Sequence, residues 1–174
     1  MLADAEPAPP AAPAEHLLLV PDTSDGAVAL AGADSRLVAR YESFSLVEAA
    51  GEDYQRLRAA GAERRDDMRE VTTAAGAIDP AAERASLAGK QAPDRDEALA
   101  LVQFVGPPKD AWVQRLRATG ARIVTYQAEN AYVVHAGGDA VERLAGLVGT
   151  DTAVRAVIPV TAADKLEGEA SAPA

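Results

Sequence analysis

The side chains able to do acid–base, nucleophilic or metal chemistry are few. Histidine occurs only at His16 and His135, and there is no cysteine, which excludes disulfides, thiolate catalysis and most structural zinc sites. His135 alternates with Val134 in an apolar run, so we predict a surface or half-buried structural role for it. None of the G-x-S-x-G, P-loop, G-x-G-x-x-G or H-E-x-x-H patterns occurs. We therefore expect no enzyme activity, no cofactor and no metal site.

The acidic pairs Glu52-Asp53 and Asp66-Asp67 are the remaining candidates for chemistry. Two neighbouring carboxylates can act as acid and base or hold a cation. Arg64, Arg65 and Arg69 surround the second pair, however, and a mixed-sign surface explains this pattern better than a catalytic or metal site.

Charge and composition limit the possible partners. The formal net charge is −10, from 27 acidic and 17 basic residues. Nucleic acid is therefore disfavoured as a partner, because its binders need clustered Lys and Arg to displace counterions from phosphate. No apolar run approaches the roughly 20 residues that span a bilayer, so we expect no membrane partner. The first residues lack the basic and apolar regions of an intact signal peptide. They fit either the remainder of a processed leader or an ordinary flexible tail.

The elements that must position any site are clearest in the second half of the chain. Apolar periodicity predicts strands at 98–105, 122–126, 131–136 and 153–160, and helices at 110–119 and 139–148. The order β-α-β-β-α-β is that of a ferredoxin-like unit, with strand order 4-1-3-2 and both helices on one face. Pro159 then belongs to an edge strand, where a missing N–H is tolerated. Trp112 is predicted to be a core anchor.

The first half predicts a related unit. Strands are expected at 16–20, 36–41 and 44–49 and a helix at 52–60, with the unit abbreviated at its front because 22–34 is rich in Gly, Ser and Asp. The heptapeptides RLRAAGA and RLRATGA each end a helix, and we predict left-handed conformations for Gly61 and Gly120. The fold class is therefore α+β, a ferredoxin-like unit preceded by an abbreviated one.

The domain boundaries follow from composition. They are a flexible Ala/Pro-rich segment at 1–15, an α+β unit at 16–79, a linker with room for one helical turn at 80–96, a ferredoxin-like domain at 97–162 and a flexible tail at 163–174.

The second segment, LALVQFVGPPKDAWVQRLRATGARIVTYQAENAYVVHA through AVRAVIPVTAADKL, resembles the propeptide domain of secreted subtilisin-like serine proteases (peptidase S8 family, inhibitor I9-like prodomains). The shared elements are a VQF-G-P strand and turn, a Trp-bearing helix ending in G-A, a hairpin with Asn at its turn and a last V-R-x-V strand entering a K-L tail. ARYESFSLVEA and the following residues also resemble the front of long prodomains. The resemblance covers most of 36–166.

The resemblance implies a secreted, non-catalytic chaperone and inhibitor whose sheet face packs on the protease. The tail would lie in the substrate cleft as an added strand. Ala163, Asp164, Lys165 and Leu166 would be nearest that cleft, with Leu166 in the primary specificity pocket. Such propeptides carry acids near the last strand that cap protease helices. Here Pro159, Val160 and Thr161 stand there instead, which leaves Glu129, beside Asn130 in the hairpin turn, as the candidate for that contact.

The catalytic Asp, His and Ser blocks of the protease are missing from the sequence, so any endopeptidase activity would belong to residues outside it. Three alternatives stay open at this stage. They are a stand-alone inhibitor of the same fold, a tandem ferredoxin-like module that binds a small ligand between paired units, and a plain structural or interaction domain.

Overall fold

The computed structural model describes residues 14–73, 76–87 and 98–160, and it is α+β with antiparallel sheets, as predicted. The first unit contains strands β1 (His16–Pro21), β2 (Arg36–Arg40), β3 (Phe44–Ala49) and β4 (Glu63–Arg64), and helices α1 (Ser24–Ala31) and α2 (Gly51–Ala59). Its four strands lie in the order β2-β3-β1-β4. A 3₁₀ turn, Asp66–Arg69, then leads to a separate hairpin of β5 (Val71–Thr73) and β6 (Gly76–Ile78), followed by helix α3 (Pro80–Leu87).

The second unit contains strands β7 (Ala98–Phe104), β8 (Arg122–Gln127), β9 (Ala131–Ala136) and β10 (Val154–Pro159), and helices α4 (Asp110–Ala118) and α5 (Asp139–Leu147). The strands lie in the order β10-β7-β9-β8, so β10 with Pro159 is an edge strand. When the strands are numbered one to four within each unit, both sheets have the order 4-1-3-2.

The twin heptapeptides end α2 and α4, and the prediction for their glycines is confirmed. Gly61 and Gly120 both have φ 89°. After α2, the N–H of Ala62 donates to the carbonyl of Leu57 and the N–H of Gly61 to that of Arg58, a Schellman motif. After α4, the equivalent N–H, that of Ala121, donates at 3.2 Å to the Thr119 hydroxyl instead of to a helix carbonyl. One local solution therefore serves the second helix of one unit and the first helix of the other.

The expected abbreviation of the first unit at its front is wrong, because α1 is present there. Thr23 supplies the N-cap, since its hydroxyl accepts from the Gly26 N–H at 3.1 Å. Gly26 is buried and lies so close to the preceding strand that a Cβ would meet the Pro21 carbonyl oxygen at 2.4 Å. The glycine thus permits the close approach of α1 to β1, and it is β4, two residues long, that is short.

The segment predicted as a linker begins with an eight-residue helix. Proline at the first position of α3 costs no hydrogen bond, and Asp79 accepts from the N–H groups of Ala81 and Ala82 at 2.8 and 3.3 Å. Residues 88–96 lie outside the described part, as do the two segments predicted to be flexible, apart from Ala14 and Glu15.

Each sheet has a core on both faces. The helix-covered faces hold the larger clusters, with Leu18, Val47 and Leu57 in the first unit and Phe104, Leu116 and Val134 in the second. The opposite face of the second sheet is also buried. There Leu101, Ala131, Val133 and Ile158 pack against Val71 of β5 and Ile78 of β6.

The opposite face of the first sheet packs on Met68 of the 3₁₀ turn and on Val105 and Trp112 of the second unit. Met68 and Val71, three residues apart, therefore fill two different sheet faces. We call β5, β6 and α3 together the cover, because their residues close the second sheet.

Candidate functional site

The predicted protease-binding tail, Ala163 to Leu166, lies outside the described residues. The described chain ends at Val160, whose N–H donates to the carbonyl of Leu99 at 2.8 Å. The tail therefore departs from the edge strand β10 of the second sheet.

The other predicted contacts, Glu129 and Asn130, lie in the β8–β9 turn, and both have positive φ, 60° and 65°. Left-handed backbone costs roughly 1–2 kcal/mol for most residues and less for asparagine. Asn130 is only 6% exposed and its carbonyl accepts from the Phe104 N–H at 2.9 Å. The Glu129 Oε2 and Asn130 Nδ2 atoms are buried with no hydrogen-bond partner among the described residues. The Asn130 side chain therefore faces the interior, where a docking protein cannot reach it in this conformation.

A partly buried polar network holds the cover to the second sheet. Arg155, on β10, donates through Nη1 and Nη2 to both carboxylate oxygens of Asp79, each at 2.8 Å. The same Nη1 lies 2.8 Å from the Gln103 Oε1 and 2.8 Å from the Arg69 carbonyl oxygen. Gln127 adds a bond from Nε2 to the Thr72 carbonyl at 3.1 Å. Side chains of the second sheet thus bind the backbone carbonyls of Arg69 and Thr72 and the carboxylate of Asp79, which directly precedes α3.

Asp79 combines two roles in this network, since it caps α3 and pairs with Arg155. Burial alone would raise the pKa of its carboxyl, but the hydrogen bonds and charge of Arg155 and the two amide donors hold that pKa below its ordinary value. The carboxylate form therefore persists wherever the protein is folded near neutral pH.

The acidic pair Asp66-Asp67 forms a mixed-sign cluster, as the sequence indicates. Asp66 accepts from the His16 ring at 2.7 Å, the Leu17 N–H at 2.7 Å and Arg64 at 2.6 Å. Burial would raise the pKa of Asp66, but these hydrogen bonds lower it to about 2. Asp66 therefore ties the start of β1 to the 3₁₀ turn, which stabilises the fold.

A cleft of about 320 Å³ opens where the two units meet. Three arginines, Arg36, Arg69 and Arg155, lie along it together with two acids, Glu48 and Asp151. Aliphatic side chains complete the lining: Leu17, Val38, Val105, Val148 and Val154. Two of the arginines share one acid, since Arg36 and Arg69 each contact a different oxygen of Glu48.

An aromatic cluster closes the junction beside the cleft. Trp112 stacks on Phe104 at 5.7 Å between centroids and meets the edge of Tyr41 at 6.4 Å. The Tyr41 hydroxyl donates to the Pro107 carbonyl at 2.9 Å, and burial raises the pKa of Tyr41 to about 12. The Lys109 Nζ lies 4.6 Å from the centroid of the Tyr41 ring, within cation–π distance. Trp112 is thus an anchor of both units.

Sequence reasoning missed Gln103, Asp79 and Arg155, the residues that hold the cover to the second sheet. No short motif contains them, because they are 24 and 52 residues apart in sequence. A polar Gln within the apolar run ALALVQFV is the one signal that could have marked the partly buried network.

Within residues 14–73, 76–87 and 98–160, no group of three or more His, Asp or Glu side chains is placed to hold a metal ion. Among the helices in the same part of the chain, none has the length and apolar character needed to cross a bilayer.

The fold and junction define a two-unit α+β protein with a covered second sheet. The chain belongs to the family described as "Domain of unknown function (DUF8729)", whose model matches residues 72–161. The match includes β6, α3 and most of β5, so the cover is part of the family's domain together with the second unit. Comparisons with curated proteins and with solved structures found no match.

Proposed function

We propose that this chain is a secreted, non-catalytic propeptide-type domain that assists the folding of a subtilisin-like serine protease and inhibits it. The observation that carries the proposal is the second unit itself, which we infer to be ferredoxin-like. Its antiparallel strands lie in the order β10-β7-β9-β8, and α4 and α5 pack on one face through Leu116 and Leu144.

The residues that carry the resemblance support the proposal by their places in this unit. The VQF-G-P run ends β7 and forms the following turn, Trp112 lies in α4, and Asn130 lies in the turn with positive φ. The last strand is an edge strand, and the tail leaves it at Val160. A tail that departs from a sheet edge can extend into a substrate cleft as an added strand.

The mode of contact differs from the one implied by the resemblance. The bare sheet face is closed here by Val71 and Ile78, so a protease cannot pack on that face while the cover is in place. In this proposal the tail is the principal contact, and the exposed outer residues of the cover, such as Thr72, Ala77 and Glu83, take the place of the sheet face.

Inhibition kinetics with purified subtilisin-like serine proteases test the proposal. We expect slow, tight inhibition by the full chain, retention of inhibition when residues 168–174 are removed, and its loss when residues 162–174 are removed. Leu166→Glu should weaken inhibition strongly, because a charge cannot be buried without a partner in an apolar specificity pocket. Ala170→Glu introduces the same charge into the same tail and should leave inhibition intact.

Two results would contradict the proposal. One is the absence of inhibition at micromolar chain with every protease of a panel that spans the specificities of the family. The other is equal inhibition by the full chain and by the chain lacking residues 162–174, because the tail would then contribute nothing.

A further inference from the structure

We propose that the cleft between the two units is a binding site for a small carboxylate with an aliphatic body. The inference is independent of the protease-binding proposal, since it concerns neither the tail nor the outer surface of the cover. It starts from the charges that line the cleft. Three arginines and two carboxylates line it, and the arginines also have partners outside the lining, since Arg155 pairs with Asp79 and Arg69 lies 3.7 Å from Asp66.

The donors needed to bind a carboxylate are present. Arg69 donates through its Nη atoms to the Glu15 carbonyl and to Glu48, and Arg155 donates through its Nη atoms to the cover network. The Nε–H groups of Arg69 and Arg155 have no acceptor among the described residues. Guanidinium–carboxylate hydrogen bonds are among the stronger ones in proteins, and their planar geometry suits a carboxylate.

Arg36 is the adjustable member of the set. Its side chain is 69% exposed, so its ion pair with Glu48 is screened by water and contributes little to stability. Glu48 also keeps Arg69 at 2.9 Å as a second partner. Arg36 can therefore turn from Glu48 to an incoming carboxylate without leaving Glu48 unpaired. We expect Arg36 to change its side-chain conformation when the ligand binds.

The body of the ligand is set by the remaining walls. The aliphatic residues come from both units, Leu17 and Val38 from the first and Val105, Val148 and Val154 from the second. The lining described contains no aromatic residue for stacking. A volume of about 320 Å³ is at the lower end of small-molecule sites. A branched aliphatic acid of six carbons fits this chemistry, and we expect its Kd to be of the order of 1 mM.

Titration of the full chain with 4-methylpentanoate, followed by methyl and amide NMR, tests the site. We expect shifts at Val38, Val105, Val148 and Val154. The matched neutral compound 4-methylpentanamide should bind about tenfold or more weakly because it cannot make the charge-assisted bonds. Acetate, which has the charge without the body, should also bind about tenfold or more weakly.

The variant Arg36→Gln should weaken 4-methylpentanoate binding about fivefold or more. Its matched control is Arg40→Gln, which removes the same charge from the same strand but outside this cleft. Because Arg36 is exposed, the folded state is kept, and its unchanged NMR spectrum verifies this. The proposal is overturned if 4-methylpentanoate shifts none of the four valines, if the amide binds as well as the acid, or if the two arginine variants lose affinity equally. The protease assay reads none of these quantities, so the two proposals fail separately.

Discussion

Replacing Asp79 with alanine should loosen the cover and destabilise the whole chain, because this one side chain makes two kinds of contact. It accepts two hydrogen bonds of 2.8 Å from Arg155, and it caps α3 through the Ala81 and Ala82 amides. The cover in turn buries Val71 completely against the second sheet. The change therefore acts on the point where α3, the β5–β6 hairpin and β10 meet.

The expected magnitude follows from the two roles. Loss of the helix cap costs about 1 kcal/mol. The paired hydrogen bonds to Arg155 contribute roughly 1–2 kcal/mol, discounted because the Asp79 side chain is 37% exposed. The free energy of unfolding should therefore fall by about 2–3 kcal/mol, and Tm by about 4–12 °C. Asp79→Asn keeps a good cap and loses the charge, so it should cost about 1 kcal/mol.

Urea unfolding measures these differences, with Trp112 fluorescence and far-UV circular dichroism as independent probes. Trp112 is the single tryptophan and touches the cores of both units, so its emission reports on the junction. The control is Asp67→Ala, which removes a mostly exposed acid bonded to Arg65 and should change stability by less than about 0.5 kcal/mol. A cost for Asp79→Ala as small as that of the control would refute the assigned role of the Asp79–Arg155 contact.

Two further predictions concern close packing and acid stability. Gly106→Ala should lower the free energy of unfolding in urea by about 1–3 kcal/mol, because its Cβ would lie 2.4 Å from Leu46 Cδ1 and 2.8 Å from the Tyr41 hydroxyl oxygen. Leu46 is fully buried and the Tyr41 hydroxyl is bonded to Pro107, so neither side chain can move away freely. The control Gly146→Ala, on α5 where a Cβ meets no atom, should be neutral or stabilising by up to about 1 kcal/mol. The folded state lowers the pKa of Asp66 to about 2, so the ionised carboxylate stabilises the protein fully above the unfolded pKa of about 4, and this stabilisation is lost as the pH falls toward 2. Asp66→Asn should therefore flatten the curve of unfolding free energy against pH between about pH 4 and pH 2. Parallel curves for the variant and the unchanged protein would contradict this.

The elements of the second unit could be predicted closely because local signals agree there. The run ALALVQFV, the Gly after α4 and the hairpin around Asn130 each specify one conformation, and β9 lies at the residues expected, 131–136. The glycine conformations at Gly61 and Gly120 were likewise predictable, because a helix that stops at such a sequence needs a residue with positive φ.

Long-range contacts account for what sequence did not reveal. Helix α1 forms in a Gly- and Ser-rich stretch because Thr23 caps it and Gly26 lets it lie against β1, which is a tertiary condition. The short strands β5 and β6 carry little periodicity, and they are placed by Leu101 and Ile158 of a distant sheet. Glu129 and Asn130 were proposed as partner contacts from the resemblance, and their burial could not be read from sequence because it depends on distant residues such as Gln103, whose Nε2 lies 3.4 Å from the Glu129 carbonyl.

The β5–β6 hairpin covers the second sheet, so it determines which shortened fragments of the chain keep a covered core. A fragment that starts at Ala98 would contain the four strands and two helices of the second unit. It would leave Leu101, Val133 and Ile158 exposed to water, because it lacks Val71 and Ile78, which cover them. We expect this fragment to self-associate through the exposed apolar patch. Starting at Val71 instead retains Val71 and Ile78, which shield that face, and leaves out Met68, whose partners Leu17 and Leu46 belong to the first sheet.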